Sequence, residues 1–278
     1  MCSTTSRLRL RRHLHFDALI RLVRRAFEKL PEQRRCPAFS LADTLMAGLA
    51  LFSLKDPSLL AFQQRALDHN LRSVFGLQAI PSDTQMRTIL DEVDPDHLRA
   101  VFRDVFRQLQ RGKILEDYVF LEGCYLVALD GVEYFRSDKV HCEHCWSCQH
   151  HNGEVSYYHQ LLGAVIVHPD CSEVIPLVPE PIQRPDGQTK NDCERNAARR
   201  WLSQFRQDHP HLSLIVTEDA LSSNAPHIHE LMAQRLHFIL GVKEADHQHL
   251  FTQYRQRLET DQVQGVHEED VRSGASRS

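Results

Sequence analysis

Two aspartates each follow an apolar run that is typical of a buried strand. Asp130 comes directly after the run 125–129, and Asp219 comes shortly after the run 212–216. If these strands are neighbours, the two carboxylates lie at one end of a sheet and repel each other unless a divalent cation lies between them. Oxygen ligands suit Mg²⁺ or Mn²⁺, and two such ions can activate water and stabilise the leaving oxygen of a phosphodiester. Either aspartate alone is also an ordinary turn residue, but the pair favours metal-dependent phosphoryl transfer.

Three cysteines, Cys142, Cys145 and Cys148, fall within seven residues and lie among several histidines. One Cys-x-x-Cys is half of a tetrahedral zinc site, and Cys148 with His150 or His151 would complete it. Ligands so close in sequence strain a single tetrahedron, so an exposed hairpin with free thiols is the alternative. A redox role fits less well, because the motif does not lie at a strand-to-helix turn.

Positive charge is concentrated near the start of the chain. Residues 1–35 carry ten Lys and Arg against three acidic residues, a net charge of +7, which leaves −11 for the remaining residues. A later helix carries an arginine every four residues, and four guanidinium groups on one face suit a DNA backbone. A solvated charged face is the alternative. The predicted DNA-contacting residues are Arg99, Arg103, Arg107 and Arg111, with Lys190 and Arg199 on a later helix.

The elements that must position these residues fall into two groups. Up to about residue 113 the periodicity and the Ser, Asp and Pro start signals predict five or six helices and no strand. After Tyr118 the order is β-β-β-α-β-α-β, which predicts a mixed sheet flanked by helices and is the order of the RNase H-like fold. We therefore predict an all-helical, DNA-binding N-terminal domain (1–115), an RNase H-like α/β domain (116–260) with a Cys/His-rich insertion (141–151), and a disordered tail (261–278).

The composition is that of an ordinary globular protein. The chain has 278 residues, of which 42% are hydrophobic and 25% charged. The apolar run 41–54 contains Asp43 and is too short to span a bilayer. No continuous apolar stretch follows the arginine-rich start, so we expect neither a secretory signal nor a disulfide framework among the eight cysteines. The predicted location is the cytoplasm, in association with the nucleoid and without a membrane partner.

Four segments resemble bacterial insertion-sequence transposases of the DDE type, and they occur in the same order as in that family. Segment 129–135, Leu-Asp-Gly-Val-Glu-Tyr-Phe, resembles the strand that carries the family's first aspartate. Segment 190–199 resembles the helix that precedes the second aspartate, and segment 218–228 resembles the second-aspartate region. Segment 81–91 resembles part of the N-terminal helical region. The resemblance covers roughly residues 40–255.

The resemblance implies DNA transposition, that is, metal-assisted phosphodiester hydrolysis and strand transfer at the ends of an element. Asp130 and Asp219 carry over as the first two metal ligands, for Mg²⁺ or Mn²⁺. The implied partner is double-stranded DNA, on which the protein would act as a homo-oligomer.

The family's third acid, a glutamate on a helix well after the fifth strand, has no convincing match after Val242. The chain looks cut short before it, so we expect cleavage and joining of DNA ends to fail. Asp192 and Glu194 are typical helix N-terminal acids, with a supporting role near the metal site as the alternative. The competing functions are a non-catalytic DNA-binding remnant or regulator of a full-length transposase, and an RNase H-like nuclease whose third acid is Glu244, Asp246 or Glu259.

Overall fold

A computed structural model of the chain describes residues 14–183, 190–260, 268–270 and 275–277. This part of the chain is mixed α/β, with a series of helices followed by an open, mixed seven-stranded sheet and its flanking helices. None of the described helices combines the length and apolar character that crossing a bilayer requires.

The described residues from 14 to 111 form a series of helices, and most of their helix starts follow local capping signals. The Ser40 side chain accepts a hydrogen bond from the Asp43 amide, and Ser82 and Gln85 form a capping box. Both caps confirm the sequence prediction. Asp94 caps a short 3₁₀ turn rather than opening the predicted long helix directly. The helices are α1 (Phe16–Phe27), α2 (Leu41–Ser53), α3 (Leu59–Gln63), α4 (His69–Phe75), α5 (Asp83–Asp91) and α6 (Arg99–Arg111).

The sheet follows, and its central strand has antiparallel and parallel neighbours. In space the main order is β2-β3-β1-β6-β7, and β4 and β5 also pair with β3. Strand β3 runs antiparallel to β1, whereas β6 is parallel to both β1 and β7. The strands are β1 (Tyr125–Ser137), β2 (Trp146–Gln149), β3 (Val155–Val167), β4 (Ile175–Pro176), β5 (Glu180–Ile182), β6 (Leu214–Glu218) and β7 (His237–Leu240), with helices α7 (Lys190–Asp208), α8 (Ala225–Ala233) and α9 (Gln248–Glu259).

Strand β1 is longer than its sequence indicates. The apolar run 125–129 predicts a strand that ends before Asp130, but one strand of 13 residues runs through this position. The reason is β3, which pairs with β1 along nearly its whole length and holds it extended. Strand β6 pairs with β1 only as far as Ala128 and Thr217. Asp130 therefore lies inside β1, just past the point where the pairing with β6 ends.

Two hydrophobic cores form, and one helix contributes to both. The first core lies among α1 to α5 and includes Met46 and Phe62; the second lies between the sheet and α7 and includes Trp201. Helix α6 places Val101 in the first core and Phe106 in the second. A boundary at residue 115 therefore does not separate the two cores, in contrast to the predicted division.

Buried ion pairs attach α6 to the sheet layer. Glu180 of β5 is buried and accepts hydrogen bonds from Arg99 of α6 at 2.5 Å and from Arg200 of α7 at 2.8 Å. Arg103, also on α6, pairs with Asp208 at 3.0 Å. Removing one partner of a buried ion pair is strongly destabilising, because the remaining charge is left without compensation. These pairs therefore fix α6 against α7 and β5.

The end of the chain contains a short strand pair. Strand β8 (Glu268–Asp270) pairs antiparallel with β9 (Ala275–Arg277). This pair lies within the segment 261–278 that was predicted to be a disordered tail; the other residues of that segment lie outside the described part of the chain.

Candidate functional site

The two predicted aspartates lie side by side at the edge of one pocket. Ala128 and Thr217 are paired across the parallel strands β1 and β6, and Asp130 and Asp219 each follow two residues later. Both side chains are exposed, and both line a pocket whose remaining acidic residues are Glu194 and Glu218. We call this the acidic pocket. The adjacency of β1 and β6 was the condition on which the predicted aspartate pair depended.

Hydrogen bonds fix the turn that carries Asp219. Its Oδ1 accepts from the Leu221 amide at 2.9 Å, which forms an Asx turn after β6. The preceding residue, Glu218, is buried and lies 2.5 Å from His227 Nε2 of α8, and Ser222 donates to its other oxygen at 3.2 Å. Because both oxygens of Glu218 are engaged, its role is to position the turn, and Asp219 presents the exposed carboxylate.

Glu194 contributes a third carboxylate to the acidic pocket, from the first turns of α7. Its side chain lies against Gly131 so closely that a Cβ atom at that position would come within 2.6 Å of Glu194 Oε1. The sequence signal for this role was weak, because acidic residues are common near helix N-termini. Its position beside Asp130 depends on how α7 packs across the sheet.

The acids expected after β7 do not reach this pocket. Glu244 forms an exposed ion pair with Arg255 of α9 at 2.6 Å, and neither Asp246 nor Glu259 is among the residues lining the acidic pocket. Within the described residues, no three carboxylate groups converge to within 4.8 Å of one another. Three ligands of one Mg²⁺ ion would lie closer than this, since Mg²⁺–oxygen distances are about 2.1 Å. The pocket therefore fits one ion between a carboxylate pair more readily than three acids on one ion.

The predicted arginine face of α6 is divided between structural and exposed groups. Arg99 and Arg103 are held in the ion pairs with Glu180 and Asp208, so their charges are neutralised within the protein. Arg107 is exposed and pairs with Asp104 of the same helix at 3.2 Å, and Arg111 is exposed. Of the four arginines predicted to contact phosphate, Arg107 and Arg111 are the exposed ones, and Arg99 and Arg103 are held in ion pairs within the protein.

The two basic candidates on α7 differ in how far they are described. Lys190 is the first residue of the helix, but its side chain lies outside the described part of the chain. Arg199 is exposed and lines a second pocket together with Arg195 and Asn224.

A second cluster of chemically active groups lies at the far end of β1. The Sγ atoms of Cys142 and Cys145 are 3.7 Å apart, and His159 Nε2 of β3 lies 3.3 Å and 3.2 Å from them. Among the residues the structure describes, this is the one group of three or more His, Cys, Asp or Glu ligand atoms that all lie within 4.8 Å of one another.

The cluster contains two of the four predicted zinc ligands, Cys142 and Cys145, and has His159 in place of Cys148 and His150. Cys148 pairs with Ser156 across β2 and β3, and His150 Nε2 lies 2.9 Å from Ser156 Oγ. Ser156 and His159 are three residues apart on one strand, so their side chains point to opposite faces of the sheet. The prediction of Cys148 and His150 as ligands is therefore wrong. His159 was missed because its proximity arises from strand pairing and not from local spacing.

Burial sets the electrostatics of this cluster. It raises the pKa of the Cys145 thiol and, together with the charge of His144, lowers the pKa of His159. The same effect raises the pKa of Tyr134, whose ring stacks on His159 with centroids 5.9 Å apart. A lowered pKa favours the neutral imidazole, which is the form that binds metal.

No protein-family model matches this sequence, and no curated protein matches it either.

Proposed function

We propose that this chain is an RNase H-like protein that acts on DNA as insertion-sequence transposases of the DDE type do. The proposed activity is hydrolysis of phosphodiester bonds with the aid of Mg²⁺ or Mn²⁺, and strand transfer at DNA ends is incomplete in this chain because the family's third acid has no match. The observation that carries the proposal is the acidic pocket, in which Asp130 and Asp219 extend from adjacent parallel strands. The order of strands and helices along the chain supports the same fold assignment.

Asp130 and Asp219 would hold one divalent ion, because both are exposed and lie at the same level of the sheet. Glu194 lines the same pocket from α7 and would support the site without binding the same ion, since no three carboxylates of the described residues converge. A bound divalent ion would activate water and stabilise negative charge on the phosphate. Glu218 acts as a positioning residue, since its contacts with His227 and Ser222 hold the Asp219 turn.

The partner in this proposal is double-stranded DNA. Arg107 and Arg111 on α6 and Arg199 on α7 present exposed guanidinium groups, which suit phosphate oxygens. The resemblance to transposases further implies assembly as a homo-oligomer on DNA and association with the nucleoid.

The proposal is tested by measuring nicking of supercoiled plasmid DNA by the full chain in Mn²⁺. We expect metal-dependent nicking that falls at least about a hundredfold in Asp130→Asn and in Asp219→Asn, because each substitution removes a charged metal ligand. Glu194→Gln should cause a smaller loss, because Glu194 lines the pocket without joining the aspartate pair on one ion. Glu244→Gln is the matched control, because Glu244 is an exposed acid outside the acidic pocket and should leave nicking unchanged.

The non-catalytic alternative has one observation in its favour, which is that no three carboxylates converge within the described residues. A remnant or regulator would bind DNA, but the wild type and the two aspartate variants would nick it at the same low rate. Salt-sensitive DNA binding without metal-dependent nicking would therefore replace the enzyme proposal with this one. Nicking that survives both aspartate substitutions would overturn the assignment of the pocket.

A further inference from the structure

We propose that Cys142, Cys145 and His159 bind a zinc ion that fastens the connection between β1 and β2 to strand β3. This inference does not depend on the proposed function, because it concerns a separate cluster and a different class of metal. The acidic pocket lies at the level of Asp130, whereas His159 pairs with Phe135, five residues further along β1. At about 3.3 Å per residue, the two sites are roughly 15 Å apart.

The three ligand atoms already stand at the spacing of a zinc site. Tetrahedral zinc, with bonds of about 2.3 Å to sulfur and about 2.0–2.1 Å to nitrogen, places two sulfurs about 3.8 Å apart and sulfur and nitrogen about 3.5 Å apart. The corresponding distances here are 3.7 Å between the sulfurs and 3.3 Å and 3.2 Å to His159 Nε2. A disulfide would instead require a sulfur–sulfur distance of about 2.05 Å.

The local backbone holds both cysteines in this arrangement. Ser137 Oγ at the end of β1 accepts hydrogen bonds from the amides of Lys139 and Val140, which turns the chain towards the cluster. The Cys145 amide donates to the Cys142 carbonyl at 3.2 Å, and the Cys142 amide donates to Cys145 Sγ at 3.3 Å. These hydrogen bonds hold the two sulfur atoms next to each other.

The donor set selects the metal. Two thiolates and an imidazole suit zinc, whereas Mg²⁺ and Mn²⁺ prefer oxygen ligands. Zinc binding would release the two thiol protons to solvent and leave a fourth position for a water molecule. The aromatic rings of Tyr134 and Phe135 lie against His159 at centroid distances of 5.9 Å and 5.8 Å, and Cys145 is buried, so the site is partly shielded from water.

Such an ion has a clear structural purpose. Beyond Ala128, strand β1 no longer pairs with β6 and has β3 as its partner. This extension contains β1 as an edge strand, then β3 and β2, and the register between β1 and β3 is interrupted by a bulge between Glu133 and Phe135. A zinc ion joining the 138–145 loop to β3 would close the end of this extension.

The test is the zinc content of the full chain, purified under reducing conditions with zinc supplied and then dialysed against a weak chelator. We expect one zinc per chain in the wild type, and at least about a hundredfold weaker binding in Cys142→Ser, Cys145→Ser and His159→Asn, because each removes a ligand. Cys148→Ser and His150→Asn are the matched controls and should retain the metal, because the structure places both residues on the opposite face of β3.

A second measurement covers the case in which a ligand variant fails to fold. Wild-type protein stripped of zinc and loaded with Co²⁺ should show the visible absorption of tetrahedral thiolate coordination, and zinc should abolish that spectrum. The proposal would be overturned by wild-type protein that binds no zinc and carries a Cys142–Cys145 disulfide, detected as the loss of two hydrogens by mass spectrometry. It would equally be overturned if Cys148→Ser or His150→Asn lost the metal while His159→Asn kept it.

Discussion

Single residues decide whether the acidic pocket can hold metal, and Gly131 shows this most directly. A Cβ at this position would come within 2.6 Å of Glu194 Oε1 and 2.9 Å of its Cδ, so a methyl group and the Glu194 carboxylate cannot occupy their present positions together. The end of a glutamate side chain can rotate away at little cost. The glycine is therefore required by the position of Glu194 and not by the fold of β1.

We expect Gly131→Ala to weaken Mn²⁺ binding several-fold, because Glu194 must leave the acidic pocket, while the free energy of unfolding changes by less than about 1 kcal/mol. Calorimetric titration with Mn²⁺ and urea unfolding measure the two quantities. Gly163→Ala is the matched control: Gly163 is paired with Asp130 in the neighbouring strand, and an added Cβ there meets only ordinary contacts of 3.5 Å or more. Equal Mn²⁺ affinities for the two variants would remove Glu194 from the site.

At the scale of the element, α6 carries two groups of arginines, one in ion pairs within the protein and one exposed to solvent. Its arginines recur every four residues, yet Arg99 pairs with the buried Glu180 of β5 and Arg103 with Asp208 of α7, whereas Arg107 and Arg111 remain exposed. The difference follows from the position of the helix, whose first half packs against β5 and α7. Charge periodicity alone does not separate an ion-pairing arginine from a DNA-contacting one.

For the double substitution Arg107→Gln with Arg111→Gln, we expect weaker binding to duplex DNA and a decrease of about 2 in the slope of log affinity against log salt. Each exposed arginine that contacts a phosphate contributes about one unit to that slope. Fluorescence anisotropy across a salt series measures it. The control with the same change in charge is Arg255→Gln with Arg257→Gln on α9, and an equal decrease there would indicate a nonspecific effect of net charge.

At the scale of the whole molecule, the two hydrophobic cores meet where α6 packs on the sheet layer. His209 lies at this junction, with its ring 4.5 Å from that of Phe106 and 4.9 Å from that of Phe205 between centroids. Burial lowers the pKa of His209, and Arg107 and Arg103 act in the same direction, against an opposing effect of Asp208. The folded protein therefore binds this proton less readily than the unfolded chain does.

Acidification should consequently weaken the junction. Because the unfolded imidazole has a pKa near 6.5 and the folded one a lower pKa, the stabilisation is present above about pH 6.5 and is lost as the pH falls through the folded value. We expect His209→Leu to reduce the loss of unfolding free energy between pH 7.5 and pH 5.5, as measured by urea unfolding at each pH. His237→Gln, at an exposed histidine, should keep the wild-type dependence; an unchanged dependence in His209→Leu would contradict this reading.

The sequence by itself determined what depends on nearby residues. Caps such as Ser40 and Ser82 act within three residues of their helix starts, and an apolar run such as 212–216 identifies a buried strand from its own composition. The helical first part, the strand-rich second part and the position of Asp219 just after a strand follow from such local signals, whereas Asp130 lies inside β1.

Only the tertiary structure decided which distant groups meet. Glu194 reaches the acidic pocket because α7 crosses the sheet beside Gly131, and His159 joins Cys142 and Cys145 because β3 pairs with the end of β1. Arg99 is neutralised by Glu180, which lies 81 residues later in the chain. Side-chain contacts between distant segments are set by strand register and helix packing, which depend on the whole core, so no short sequence window contains them.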